Sequence, residues 1–456
     1  MLRKIYHKSP EPVKKVIRRV HSKKPFPYIY GLKFAKYYKW LMKTQWLPPE
    51  ELEELQNKRL QIIIKHAYEN VPYYRRIFDE RGLKPEDIQT KEDLKLLPVL
   101  TKDDVRKHFN ELIARDFEKY KPVLGHTSGS TGTAMDFYLT EFVENVIERA
   151  FIWRHWNWAN FNYGDKVVTI RGQILTNDLN AVAPYEIQEN NLLLSSFHLS
   201  EQSMKKYSEL IINFKPKIIR AYPSAIFLMT KYFKSRKPNP PKVTSIITSS
   251  ETLLPEHRTE IENFWGCKIY DWYGLGERVV AIGECEDGRF HINLEYGIVE
   301  FKDVSGSNQK EIIATSFWNF AMPLIRYSTR DLITPSTNSK CSCGRSLPTV
   351  NSIDGRIEDF VITKDKRIVG RLDAAFKYSF GIKYSQIIQD KIGHIIVKIV
   401  KHDNYIDKDR EKLDIELRKR LGRDIDIEYE FVDDIPRTKA GKLRFVISNV
   451  KLEEVL

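Results

Sequence analysis

Cysteine is scarce in this chain, with four in 456 residues, and no apolar run approaches the ~20 residues that a membrane-spanning helix needs. So few cysteines do not make a disulfide scaffold. They suit a reducing compartment or a metal site. An apolar core is also missing after the positively charged N-terminus, so no secretory signal is expected and the protein reads as cytoplasmic. Acid is nearly absent from residues 1–45, where 13 Lys/Arg stand against Glu11 alone. That segment carries +12 of the net charge of +13 and leaves the rest near neutrality. A basic arm on a neutral body argues for a local electrostatic contact and against nucleic acid.

Aromatics interleave with the lysines of the arm: Tyr28, Tyr30, Phe34, Tyr37, Tyr38 and Trp40. Two readings follow. The arm packs on the body through these rings, or it lies on an anionic membrane surface as an amphipathic basic segment, making the protein membrane-peripheral. Repeats and low-complexity linkers are also lacking.

The chain is long enough for two or three domains with a sizeable core. Residues 50–117 read as helical, with Leu52, Leu55, Leu60, Ile63, Ile64 and Ala67 at helical spacing and a stop at Pro72. Thr101-Lys-Asp-Asp opens a further helix with a hydroxyl cap and acids in the first turn. A long aromatic helix is expected over about 141–160. Strands then alternate with helices at about 202–214, 224–235 and 255–265: Asp165–Ile170, Ile218–Tyr222, Ser245–Ser250 and Lys268–Tyr273. This is an α/β body with largely parallel pairing. From about 290 to 335 the pattern turns to β. Residues 360–456 read as a small α+β domain with one helix at about 407–421.

Gly125-His-Thr-Ser-Gly-Ser-Thr-Gly-Thr133 packs three glycines and five hydroxyls into nine residues. Such a turn can aim backbone N–H groups and hydroxyls at a polyphosphate, although no Lys-Ser/Thr follows to make a Walker loop. A flexible surface turn remains the alternative. Asp271-Trp-Tyr-Gly-Leu-Gly-Glu277 ends a strand on a carboxylate able to hold Mg²⁺ beside a phosphate. Arg326-Tyr-Ser-Thr-Arg-Asp331 ends in an acid able to accept both hydroxyls of a ribose, unless it serves a salt bridge. Gly355-Arg-Ile-Glu-Asp359 stands where the β-rich part gives way to the small domain, as a pivot or a plain linker. Pro436-Arg-Thr-Lys-Ala-Gly-Lys-Leu-Arg444 is a glycine turn loaded with cations. Cys285, His291, Cys341 and Cys343 make a Cys₃His set suited to structural Zn²⁺, or four reduced structural side chains. Cys267 reads as an apolar thiol outside the set.

In their order and spacing these motifs resemble the adenylate-forming superfamily. Residues 50–456 look like its phenylacetate–coenzyme A ligase-like branch, and within it the capsular-polysaccharide, CapK-type members. The resemblance implies a large N-terminal adenylation domain over 46–354, a hinge at 355–359 and a mobile small domain over 360–456. It also implies ATP-dependent activation of a small-molecule carboxylate to an acyl-adenylate, then transfer to an amine or thiol on a sugar, an amino acid or coenzyme A. Thr127, Ser128, Gly129, Ser130, Thr131 and Gly132 would cradle the β- and γ-phosphates. Ser250 and Glu251 would face the nucleotide base, and Tyr273 and Gly274 would border the adenine and the acyl group. Glu277 would bind Mg²⁺, Asp331 the ribose hydroxyls, and Arg356 ribose and phosphate. Glu358 would be the hinge, and Lys442 would bridge the substrate carboxylate and the α-phosphate. Phenylacetate ligases carry an Arg-Gly-Val-Asn-type turn after the hinge. This chain has Val361-Ile-Thr-Lys-Asp-Lys-Arg-Ile-Val-Gly-Arg-Leu-Asp373 there, which leaves the acceptor open between coenzyme A and an amine. A catalytically silent nucleotide-binding scaffold on a membrane surface is the reading from another class.

Overall fold

Short runs of β-branched and aliphatic residues build the spine of the molecule. A computed structural model describes residues 25–127, 135–176, 178, 181–303, 309–336, 340–355, 361–369, 372, 375–376, 381–402, 405–436 and 445–450. Twelve strands form one continuous sheet. In its first half the strands Asn191–Ser195, Val167–Arg171, Ile218–Ala221, Ser245–Ser249 and Ile269–Gly274 run parallel, in that spatial order. Tyr185–Gln188 closes this edge antiparallel. In the second half Ala281–Glu284, Phe290–Ile292, Thr349–Gly355, Tyr327–Pro335, Lys310–Ser316 and Gly297–Asp303 are all antiparallel.

Alternation within the parallel strands separates two faces. Val168, Ile170, Leu192, Leu194, Ile219 and Ile246 share a buried cluster with Met204, Ile211, Met229 and Ile261 from the helices Glu201–Phe214, Pro223–Arg236 and Pro255–Trp265. Val167, Ile218 and Ile247 face the other way, toward the helix Glu148–Trp158 and the N-terminal helices. That helix approaches so closely that a Cβ on Gly283 would stand 2.7 Å from the His155 ring.

Pro72 does more than stop a helix. The helix Pro49–Asn70 ends before it, and Pro72 then sits in the first turn of a second helix, Pro72–Arg81. Proline suits that position because the N–H it lacks has no helical partner there. The aromatic helix runs over Glu148–Trp158, entered through one π-helical turn at Val143–Ile147.

Residues 25–45 are built into the body. In the helix Leu32–Thr44, Phe34, Tyr38 and Leu41 are buried. Phe26 lies 4.7 Å from the Trp153 ring and Phe34 stacks on Tyr38. The helix end is held by a buried ion pair: Arg154 Nη1 donates to Glu295 Oε1 at 2.7 Å, and Thr44 Oγ1 donates to the same oxygen at 2.6 Å. These rings are therefore spent on the core, and the lysines between them lie outward. No helix among the described residues is long and apolar enough to cross a membrane.

Past Gly355 the chain leaves the large sheet. Strands Asp426–Phe431, His394–Lys401, Ile382–Lys391 and Val446–Ser448 form a four-stranded sheet, and the apolar side of the helix Asp407–Leu421 joins its core through Leu413 and Leu417. Arg367 spans the two parts, donating through Nη1 to Phe197 O at 2.5 Å and through Nη2 to Leu421 O at 2.6 Å.

His155 is buried and its Nε2 bonds to Glu284 O at 3.1 Å. Burial pushes its pKa down to about 3. The unfolded chain therefore takes up this proton first as pH falls. The contribution is complete above ~6.5 and is lost toward pH 3, at up to about 1.4 kcal/mol per pH unit. Urea unfolding across pH 7 to 4 should display this slope, and His155→Gln should flatten it by one proton.

Candidate active site

In open α/β sheets, ligands lie beyond the carboxyl ends of the parallel strands. Here those ends are Ser195, Arg171, Ala221, Ser249 and Gly274. Ile269–Gly274 pairs parallel with one neighbour and antiparallel with the other, so the sheet changes character at this strand. Beyond its end two acids come forward, Glu277 from the turn that follows the strand and Asp331 from the antiparallel half. Tyr273 Oη donates to Asp331 Oδ2 at 2.9 Å. Asp331 is buried, and its N–H donates to Thr329 Oγ1 at 3.1 Å. Glu277 is also buried, and Tyr327 Oη donates to its Oε1 at 2.7 Å.

The glycine- and hydroxyl-rich stretch joins two strands of a hairpin, Pro122–His126 and Asp136–Thr140. Thr127 closes its foot: its N–H donates to Met135 O, and its Oγ1 accepts from Met135 N–H, both at 2.9 Å. Met135 Sδ lies 3.9 Å from the Tyr327 hydroxyl that holds Glu277. Thr127, Met135, Tyr327 and Glu277 thus form one connected group, bringing a carboxylate to the base of the loop. Ser128, Gly129, Ser130, Thr131 and Gly132 lie outside the described residues, as do Arg356, Glu358 and Lys442.

The remaining expected contacts divide. Ser250 sits at φ +75°, with its Oγ 3.3 Å from Ser249 Oγ. Glu251 Oε2 accepts from Ser224 N–H at 3.0 Å, in the first turn of Pro223–Arg236, where a carboxylate favours the helix dipole. The arginines around Asp331 have other acids. Arg326 grips Glu300 through Nε and Nη2 at 2.9–3.1 Å, and Arg330 Nη2 bonds Asp103 Oδ2 at 3.4 Å. Asp271, at the head of the glycine motif, is buried and bonded by Thr248 Oγ1 at 2.6 Å, a contact inside the sheet.

Two charged residues within the parallel strands escaped the motif reading. Arg171 and Arg220 lie on neighbouring strands, on the face opposite the apolar cluster. Arg171 Nη2 donates to Ser249 Oγ and Arg220 Nη2 to Thr169 Oγ1, both at 2.7 Å. An arginine inside Val-Val-Thr-Ile-Arg171 or Ile-Ile-Arg220-Ala was the available signal, since such runs are otherwise wholly buried.

Cys285, His291, Cys341 and Cys343 do converge, with one ligand atom of each within 4.8 Å of all the others. The Cys285 and Cys341 sulfurs are 3.6 Å apart, and Cys343 Sγ is 3.3 Å from His291 Nε2. Sulfurs on a tetrahedral zinc, bound at about 2.3 Å, would stand roughly 3.8 Å apart, so the four donors fit such an ion. His291 Nδ1 bonds Leu347 O at 2.9 Å, which leaves the Nε2 lone pair facing the sulfurs. Burial pushes this imidazole down to about 4, keeping it in the ligating form. Gly344, at φ +81°, turns the chain back after Cys343. Cys267 stands apart, half-buried, and burial pushes its thiol up to about 12.

Residues 361–449 match the family model of the CapK C-terminal domain. Protein CapK of Staphylococcus aureus is 28% identical over 410 residues, covering 88% of this chain and 90% of that protein. The phenylacetate–coenzyme A ligase of Aromatoleum evansii is 30% identical over 338 residues, 69% of this chain and 72% of that enzyme. Among solved structures, a 2-hydroxyisobutyryl-CoA ligase in complex with 2-HIB-AMP and CoA in the thioesterification state superposes with a TM-score of 0.56 at 18% identity, over 88% of this chain and 91% of that one.

Removing the Tyr327 hydroxyl deprives the buried Glu277 of its donor. Tyr327→Phe should therefore cost about 1–3 kcal/mol in urea unfolding, with an unchanged denaturant slope.

Proposed function

This chain belongs to the phenylacetate–coenzyme A ligase family of adenylate-forming enzymes, and we propose that it uses ATP to activate a carboxylic acid to an acyl-adenylate, then passes the acyl group to a thiol or an amine. The observation that carries this reading is the convergence of Thr127, Glu277, Tyr273 and Asp331 at the carboxyl edge of the parallel strands.

In this reading Thr127 and residues 128–132 hold the β- and γ-phosphates by backbone and hydroxyl donors. Asp331 exchanges its Tyr273 partner for the ribose hydroxyls, which frees the tyrosine ring to border the base with Gly274, Ser250 and Glu251. The Glu277 carboxylate, at the foot of the loop, would hold Mg²⁺, which would supply positive charge beside the phosphates. Arg356 contacts ribose and phosphate, and Glu358 is the pivot. Lys442 neutralises charge where the carboxylate oxygen meets the α-phosphorus. The carboxylate–phosphorus bond forms as the bond to pyrophosphate breaks, so the protein's task is alignment and positive charge. The motif resemblance to the capsular-polysaccharide members of the branch favours a place in surface-polysaccharide assembly, and the replacement of the Arg-Gly-Val-Asn-type turn at 361–373 favours an amine acceptor. The likeness to phenylacetate–coenzyme A ligases supports coenzyme A. We assign the Cys₃His cluster to a structural zinc, because all four donors are protein atoms.

Lys442→Ala and Glu277→Gln should each lower kcat for substrate-dependent ATP–pyrophosphate exchange by about 10²–10³. Unchanged exchange in Lys442→Ala would overturn the mechanism. Stimulation of pyrophosphate release by coenzyme A or by amines alone decides the acceptor. Elemental analysis of the purified protein should find one zinc per chain, absent from Cys343→Ser, which should melt at lower temperature.

A further inference from the structure

Buried charges are ordinarily paired, because leaving one unpaired costs several kcal/mol. The buried Arg154 follows this rule, with Glu295 as its partner. Arg171 and Arg220, half-buried, have no such partner among the described residues. Their Nε atoms are buried without an acceptor, and among the described residues no carboxylate lies within ion-pair distance of either guanidinium. Glu251 acts on Arg171 only through space, and its Oε2 is already taken by Ser224 N–H. The two cations also oppose one another: burial first, and the neighbouring charge of Arg171 second, push Arg220 down to about 10.

Both guanidiniums line a cleft of about 630 Å³, together with Trp156, Gln173, Asn191 and, on its outer strand, Glu186. Glu186 is exposed and bonded by Gln188 Nε2. Arg220 is held in place by the Trp156 ring, 4.4 Å from its guanidinium carbon, and by Thr169, whose own hydroxyl bonds Asn191 Oδ1 at 2.9 Å. The cleft opens beside the candidate active site. Arg171 is bonded to Ser249, and Ser249 to Ser250, at the carboxyl end of the strand next to Ile269–Gly274. A molecule in the cleft can therefore turn one end toward the reaction centre and leave the other between two arginines.

We propose that this cleft takes the acyl substrate and that Arg171 and Arg220 bind a second negative charge on it, so that the acid activated is a dianion with a carboxylate or phosphate at the end remote from the reacting carboxylate. Two forked cations with free N–H donors match either oxyanion. A neutral acyl tail would leave both charges desolvated and unmatched. This inference rests on the adenylation reading for the chemistry at the near end, and on the arginine pair alone for the far end.

The test uses the full chain and acids matched in length: pentanoate, glutarate and 4-phosphonobutyrate, with inorganic phosphate as a fourth probe. Binding without nucleotide is read from tryptophan fluorescence, as the difference between wild type and Trp156→Phe. Glutarate or 4-phosphonobutyrate should bind at least about tenfold more tightly than pentanoate, and Arg220→Met should remove that preference while Arg220→Lys keeps part of it. Equal binding of pentanoate and glutarate, binding by neither dianion, or an unchanged preference in both Arg220→Met and Arg171→Gln would overturn the proposal. Pyrophosphate exchange then separates the sources of the charge. A dianion that supports exchange is the acyl donor, as proposed. A dianion, or inorganic phosphate, that binds but only stimulates exchange of pentanoate belongs to an acceptor, and sinks it. Dianion binding with no exchange for any acid would leave the arginine site standing and count against the adenylation reading.

Discussion

The strand Ile269–Gly274 is the constraint on which the site depends. It is hydrogen-bonded on both edges, parallel to Ser245–Ser249 and antiparallel to Ala281–Glu284. A parallel half alone would present strand ends and helix N-termini but no acids from beyond them. An antiparallel half alone would have no shared carboxyl edge. Joining the two at one strand sets Ser249 and Ser250 beside Tyr273, and returns the chain through Glu277 to Tyr327 and Asp331. Slipping that strand by one residue would exchange its faces and separate Tyr273 from Asp331.

Around this join the molecule treats buried charge in three ways. Arg154 and Glu295 satisfy each other and fasten the helix Leu32–Thr44 to the body, with Thr44 adding a donor. The Cys₃His cluster gathers donors that have each other and, by their spacing, room for one cation. Arg171 and Arg220, half-buried, have hydroxyl acceptors but, among the described residues, no carboxylate within ion-pair distance. The first arrangement is complete within the protein, and the arginine pair is the one that we propose a ligand completes. Incomplete sites of this kind are where an external ion or ligand contributes most, because its arrival removes a desolvation cost already present.

Much of this was legible in advance, for physical reasons. Alternating β-branched runs and amphipathic segments announce α/β architecture, because burial demands periodicity. Glu277 and Asp331 stood out as candidates because each stands at a fixed offset from glycines or hydroxyl residues, and the fold places both near the end of the strand Ile269–Gly274. The convergence of Cys285, His291, Cys341 and Cys343 was legible because thiolates and imidazole are favoured zinc donors and the chain has few cysteines. The role of the aromatics at 28–40 was not. Rings interleaved with lysines satisfy a membrane surface and a protein core equally, and only the contact of Tyr30 with Trp153 shows that rings of this segment join the core. Arg171 and Arg220 carry no motif, since their meaning lies in which acids are absent around them.

By itself the sequence determined the succession of elements, the candidate acids and hydroxyls, the four Cys and His side chains that converge, and the charge asymmetry of the N-terminal segment. Those are properties of local pattern and residue chemistry. Tertiary structure alone decided that Glu277 reaches the loop through Tyr327, 50 positions away in the chain, that Arg326 is spent on Glu300, and that Arg171 and Arg220 share a cleft in which no described carboxylate reaches ion-pair distance of either. Partners in a low-dielectric interior are set by sheet register and strand order, which bring distant residues together, and no spacing along the chain encodes who is left unpaired.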